Sequence, residues 1–222
     1  TVIMVEHVHR AGDRISTTRA VTTGDFVAPL GSDCRAGERV LTAGRRLDYA
    51  SVAVLATVGS TRVSVYEEPK VAIIATGDEI VAPEDKPADH QIRNSNAYSV
   101  AAQVAQGGGR PSIAPIARDE YDATRAIVES GLDSDLLLIS GGVSAGKYDI
   151  VEKVLSDLGA EFYFDRVLIQ PGQPVVFGRV RETFFFGLPG NPASTMVTFE
   201  IFAKAALDLL AGCADAPLRV VY

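Results

Sequence analysis

Two hydrophobic rhythms divide the chain. Across residues 1–65 the apolar positions come in short runs broken by turn signals at Ala11-Gly12-Asp13, Gly24-Asp25, Gly31-Ser32-Asp33, Ala36-Gly37 and Ala43-Gly44. The opening "TVIMVEHVHRAGDRIST" reads as a hairpin, so this part is expected to be a small β-rich segment. One helix, about Tyr49 to Val58 with Gly59 after it, leads out of it.

From Lys70 onward, continuous apolar runs alternate with helical stripes. "VAIIA" (71–75), "SIAPIA" (112–117) and "DLLLIS" (135–140) read as strands covered on both faces. Between and after them come three helices. In the first, capped by Ser95, the residues Ala97, Val100, Ala101, Val104 and Ala105 share a face until Gly107–Gly109. The second runs near Asp122 to Glu129. The third, near Ile150 to Leu158, carries a stripe of Ile150, Val151, Val154, Leu155 and Leu158. Strand-helix-strand repetition predicts a three-layer α/β/α fold with a mostly parallel sheet, and the short links across about Val167 to Leu188 predict an antiparallel section. In "FFFGLPGNPAST" (184–195) a last strand meets a stiff corner. Asn191 can cap a helix, and Pro192 fits its first turn, where no amide hydrogen is needed. Met196, Phe199, Ala203, Leu207 and Leu210 then recur at helical spacing as far as Gly212. The predicted division is 1–65, 66–212 and, from 213–222, the start of a further domain; "APLRVVY" reads as the opening of a strand, and the chain is expected to be part of a longer enzyme.

Composition narrows the chemistry. At 222 residues and 47% apolar content the chain can bury a large core. Its formal net charge of −7 argues against a general nucleic-acid or anionic-membrane surface. No apolar run reaches the length of a membrane span and no signal-like leader is evident, so the expected location is cytoplasmic. Cys34 and Cys213 are read as reduced packing residues. His7 and His9 alternate as two residues of one strand face would, and with no third ligand in view they are read as an exposed face rather than a metal pair.

In a parallel sheet ligands sit beyond the carboxyl ends of the strands, so the loops there carry the candidate chemistry. The first is "ATGDEI", where Thr76 and Gly77 turn the chain and Asp78 and Glu79 present carboxylates. The second, "ISGGVSAGKYD" (139–149), holds Ser140, Gly141, Gly142 and Ser144 and is closed by Asp149; its backbone amides and hydroxyls suit phosphate oxygens. It lacks both the Walker ending and the dinucleotide glycine spacing. The third, "GLPGNPAS", contains Pro189, Gly190, Asn191, Pro192 and Ser194 ahead of a helix start. Beside it, "RVLIQPGQP" supplies Arg166, Pro171 and Gly172. Carboxylates for a hard cation together with glycine-rich amides for phosphate make a nucleotide-type site, with Asp78 and Asp149 as a magnesium pair if the loops converge.

"TGDE", "SGGVSAGxxD", "PGQP" and "GLPGNPAS", in this order, resemble the molybdopterin molybdenumtransferases, the MoeA and gephyrin E-domain group of molybdenum cofactor biosynthesis. The resemblance covers essentially the whole chain. It implies a MogA-like, molybdopterin-binding domain that takes adenylylated molybdopterin and molybdate, inserts the metal and releases AMP with Mg2+ assisting. By position it implies Asp78, Asp149 and Arg166 as catalytic residues, with Asp78 and Asp149 holding magnesium. Thr76, Gly77, Glu79, Ser140, Gly141, Gly142, Ser144, Pro171, Gly172, Pro189, Gly190, Asn191, Pro192 and Ser194 fall at substrate-binding positions. It also implies a homodimer and a molybdopterin adenylyltransferase as partner. The chain departs from the pattern at Gln170 and Gln173, where relatives carry lysines, and at Ser32 before Asp33, where a Glu is common. Two alternatives remain: an adenylyltransferase of the same fold, and a non-catalytic nucleotide- or pterin-binding or scaffolding module.

Overall fold

The computed structural model describes residues 1–141 and 150–214. The chain divides into two units, Thr1–Thr42 with Asp48–Gly59, and Ala43–Leu47 with Ser60–Tyr222.

In the first unit a turn of 3-10 helix, Val5–His7, leads into an antiparallel hairpin of β1 (Val8–Ala11) and β2 (Arg14–Thr17), paired from Val8↔Thr17 to Ala11↔Arg14. The two-residue link needs a left-handed residue, and Gly12 supplies it at φ +63°. His7 therefore lies in the 3-10 turn and only His9 on the strand, so the two do not share a strand face. Strand among the described residues of this unit is confined to the hairpin. Helix α1 (Tyr49–Thr57) is capped by Asp48, whose carboxylate accepts from the backbone N–H and the hydroxyl of Ser51, each at 2.8 Å. Among the described residues of the unit, Ser51 alone is buried.

The second unit is built on a six-stranded sheet. Its strands are β3 (Lys70–Ala75), β6 (Arg110–Ile113), β7 (Leu136–Ser140), β8 (Glu161–Phe164), β9 (Val176–Val180) and β10 (Thr183–Leu188), in the order β6-β3-β7-β10-β9-β8. The first four of that order run parallel, and β9 and β8 add the antiparallel end. A two-stranded ribbon of β4 (Ile80–Val81) and β5 (Ile92–Arg93) stands apart. Helices α2 (Asn96–Gly107), α3 (Tyr121–Gly131) and α4 (Ile150–Asp157) follow β5, β6 and β7 respectively, and α5 (Pro192–Thr198) follows β10.

Alternation along each central strand builds two cores. Val71, Ile73 and Ala75 of β3 face one way with Leu136, Leu138, Phe186 and Leu188, packing on Val100 and Val104 of α2 and on Phe199 and Leu207. Ala72 and Ile74 face the other way with Leu137, Ile139 and Phe185, under Val128 of α3 and Val151, Val154 and Leu155 of α4. Both faces are covered, which is why these strands read as unbroken apolar runs. Each such Leu, Ile or Phe contributes roughly 1.5–3 kcal/mol by leaving water.

Four further expectations change. The strand at 112–117 stops at Ile113 because Pro115 can offer no ladder N–H; Ala114 and Ala117 still donate to Ile73 and Ala75, and Pro111 is tolerated because β6 is an edge strand. The α2 cap is Asn94, whose side chain accepts from Ala97 N at 3.1 Å, while Ser95 makes no capping bond. Ala105 is exposed. The last helix runs from Pro192 to Leu210 but passes through a π-helical turn at Phe199–Ala203 before α6 (Lys204–Leu210). Its first two turns bury Thr195 and Thr198 and leave Met196 exposed. The predicted Met-to-Leu stripe thus holds only from Phe199 onward, because the extra residue of the π turn rotates one half of the helix against the other.

Candidate active site

Because β3, β7 and β10 are parallel neighbours, their carboxyl ends emerge side by side. The register carries Ala75↔Ser140 and Leu188↔Ser140 to the sheet edge. Beyond it, the Thr76 amide donates to the Ser140 carbonyl at 3.0 Å and the Gly141 amide to the Leu188 carbonyl at 3.4 Å. Gly141 has φ +84°, and a Cβ there would sit 2.7 Å from the Thr76 carbonyl oxygen, so only glycine lets the first two loops close on each other.

A cavity of about 160 Å³ opens at this edge. The first loop contributes Thr76 and Glu79, the second Ser140 and Gly141, the third Gly190 and Pro192. The entry to α2 adds Asn94, Ser95 and Asn96, and β5 adds Arg93. Among the described residues, two that line the cavity carry buried polar atoms without a hydrogen-bond partner: Thr76 Oγ1 and Asn96 Oδ1. Among the described residues Arg93 is the only Lys or Arg that lines the cavity; its Nε donates to the Pro83 carbonyl at 2.9 Å, which holds the guanidinium by one edge.

The third loop is built as its residue types require. Asn191 accepts from the amides of Ala193 and Ser194, so its side chain is committed to the cap. Pro189 is buried, and its carbonyl accepts from the Thr195 hydroxyl. Ser194 is buried within α5, its carbonyl accepting from Thr198 Oγ1 at 2.8 Å.

The remaining predicted site residues lie elsewhere. Gly77 is buried, with the Glu79 carboxylate folded over it. Asp78 is exposed and outside the cavity lining; its carboxylate accepts from the Asp119 amide at 3.2 Å, and the Asp119 carboxylate accepts from the Asp78 amide at 3.4 Å. Arg118 donates to the Asp78 carbonyl at 3.2 Å. Arg166 and Pro171 are exposed and do not line the cavity, and Gly172 is buried against Thr198 and Ile169. Gly142, Ser144 and Asp149 lie outside the described residues. Among the described residues no group of three or more His, Cys, Asp or Glu side chains could hold a metal ion. Asp78 and Asp119, each accepting from the other's backbone amide, bring two carboxylates into one loop contact outside the cavity lining. That fits a cation which takes one or two protein carboxylates and completes its shell with water and substrate phosphate, as magnesium does.

Arg93, Asn94, Asn96 and Asp119 escaped the sequence reading. "IRNSN" carries a weak signal, a cap residue ahead of a helix, but its convergence on loops 44 and 94 residues away is a tertiary fact. No helix of the described residues is long and apolar enough to cross a membrane.

Known proteins resemble this chain over most of its length. Residues 72–209 match the family described as a probable molybdopterin binding domain, and residues 1–59 match the MoeA N-terminal region (domain I and II). The molybdopterin molybdenumtransferase of Nostoc sp. is 35% identical over 218 residues, covering 96% of this chain and 50% of that protein. The Bacillus subtilis protein of the same name is 37% identical over 195 residues, 87% of this chain and 45% of its own length. Among solved structures, two of the molybdopterin biosynthesis MoeA protein from Pyrococcus horikoshii align with TM-scores of 0.75 and 0.69. Their identities are 31% and 29%, over 96% of this chain and 53% and 52% of theirs. The chain spans about half the length of the curated relatives it matches. With its α/β unit inside the molybdopterin-binding domain family and its first residues in the MoeA N-terminal region, the chain belongs to the MoeA family of molybdenum cofactor biosynthesis.

Proposed function

We propose that this chain is the central part of a molybdopterin molybdenumtransferase. It binds adenylylated molybdopterin across the cavity at the ends of β3, β7 and β10, and molybdate is inserted at the dithiolene as AMP is released. The observation that carries the reading is the meeting of Thr76, Ser140, Gly141, Gly190 and Asn96 around one cavity from four separate segments.

The roles follow from the chemistry of each group. Amides and hydroxyls of the second loop, at Ser140, Gly141, Gly142 and Ser144, are the proposed donors to phosphate oxygens, and Arg93 supplies a positive charge on the cavity wall. Asp78 and Asp149 are the proposed magnesium ligands, with Asp119 beside Asp78 as a further carboxylate. These carboxylates would hold magnesium, which would supply charge neutralisation to the phosphoanhydride oxygens. Among the described residues the cationic charge on the cavity wall rests on Arg93, since Arg166 lies outside its lining. Catalysis is then mainly positioning of the anhydride and molybdate plus stabilisation of the departing phosphate. The working enzyme is proposed to be a cytoplasmic homodimer that receives its adenylylated substrate from an adenylyltransferase.

The test mixes purified chain, magnesium and adenylylated molybdopterin, then adds molybdate. AMP release that depends on molybdate supports insertion. In a parallel mixture of chain, magnesium, molybdopterin and ATP, formation of the adenylylated species would replace this reading by the adenylyltransferase. Binding without turnover would mark this chain as a binding module.

A further inference from the structure

Asn96 opens α2, yet its side chain serves two segments remote in sequence. Nδ2 donates to Ser140 Oγ at 2.9 Å and to the Gly190 carbonyl at 2.8 Å, spanning 44 and 94 residues. A carbonyl can only accept, so the amide cannot be turned over: nitrogen faces Ser140 and Gly190, and Oδ1 faces away. In that orientation Oδ1 is buried with no hydrogen-bond partner among the described residues. A buried, unsatisfied acceptor lowers stability, and an apolar residue of the same shape would avoid that cost. Asn96 is therefore poorly explained as a residue serving the fold alone. Residues that break such a rule are expected where a site requires them.

The contact with Ser140 supplies the requirement. A hydroxyl has one proton and two lone pairs. With one lone pair occupied by Asn96 Nδ2, the Ser140 proton is turned away from Asn96 and can be given to another acceptor. Ser140 lines the cavity, is buried, and stands beside Gly141 at the start of the phosphate-type loop. The contact with Gly190 holds the opposite wall at the same time.

We propose that Asn96 is a positioning residue of this site: it ties the second loop to the third corner and polarises Ser140 so that its hydroxyl donates to an anionic oxygen of the bound ligand. This rests on the reading of the cavity as a nucleotide-type site.

The test uses AMP with magnesium as the probe, titrated calorimetrically into the wild-type chain, Asn96→Leu, Ser140→Ala and the double variant, with Tm recorded for each. Asn96→Leu should keep its Tm within about 4 °C of wild type. Its AMP affinity should fall about tenfold, the loss expected of one hydrogen bond to a charged group. In the Ser140→Ala background the same replacement should cost less than about threefold, because its effect passes through Ser140. A purely structural Asn96 would show no such coupling. Affinity within twofold of wild type, additive losses, or a collapse of Tm in Asn96→Leu would each overturn the positioning role and leave the functional reading standing. A wild-type chain that binds no AMP with magnesium would remove both.

Discussion

The two units of the chain use the same residue types to opposite ends. In the second, Ile73, Ile74, Leu136, Leu137 and Phe185 are shut away from water on both faces of a sheet. In the first, Leu30 is fully exposed, Tyr49 is 91% exposed, and Val5, Ile15 and Phe26 stand largely in solvent. Apolar content does not separate them; arrangement does. Parallel strands with helices on both sides give every apolar side chain two layers to enter, whereas one hairpin, a string of glycine turns and a nine-residue helix give it none. Helix α1, apolar around most of its circumference, makes the point sharply: it forms because Asp48 caps it, but buries only Ser51.

The contrast can be broken by experiment. Phe185→Ala should have the largest effect, lowering stability by about 3–5 kcal/mol through the cavity it leaves between β10 and Phe162; denaturant unfolding would show it, and a shift under ~1 kcal/mol would mean that this core is not tightly packed. Gly141→Ala should cost about 1–3 kcal/mol from its positive φ and the clash with Thr76. It should also abolish magnesium-dependent AMP binding, and retained binding would contradict the close approach of the first two loops. The two caps permit a matched comparison. Asn191→Ala should lower Tm through a global loss of about 1 kcal/mol, while Asp48→Ala removes a similar amount from α1 alone. Circular dichroism at low temperature and hydrogen exchange at Ser51 would register the latter; equal effects on global unfolding from both would erase the distinction between the units. The smallest effect belongs to Leu30→Ala, expected within about 0.5 kcal/mol of wild type. A larger loss in the same unfolding assay would show that Leu30 is covered in solution.

Much of the α/β unit was legible because its signals are local. Buried strands announce themselves as apolar runs, so β3 and β7 fell within a residue of their predicted bounds. Glycine stops and the Asn191-Pro192 start were equally readable, since left-handed φ and a missing N–H are properties of single residues. Errors arose where a residue had competitors. Asn94 and Ser95 are both good caps, and choosing between them depended on which side chain could reach Ala97 N. The π turn at Phe199–Ala203 leaves no local trace, and Gln103 of α2, donating to the Met196 carbonyl at 3.2 Å, draws on a backbone acceptor that the regular helix would use.

Taken alone, the amino-acid order determined the central strands β3 and β7, the main turns and helix starts, and which loops carry carboxylates, glycines and prolines, because each of these follows from neighbouring residues and their periodicity. What only the tertiary structure decided is which of those loops meet. The order β6-β3-β7-β10 sets Thr76, Ser140 and Gly190 around one cavity, leaves Arg166 and Gly172 outside its lining, and brings in Arg93 and Asn96 from a ribbon and a helix with no motif to mark them. Strand order is chosen by the burial of two opposed apolar faces, a property of the whole sheet that no single segment carries.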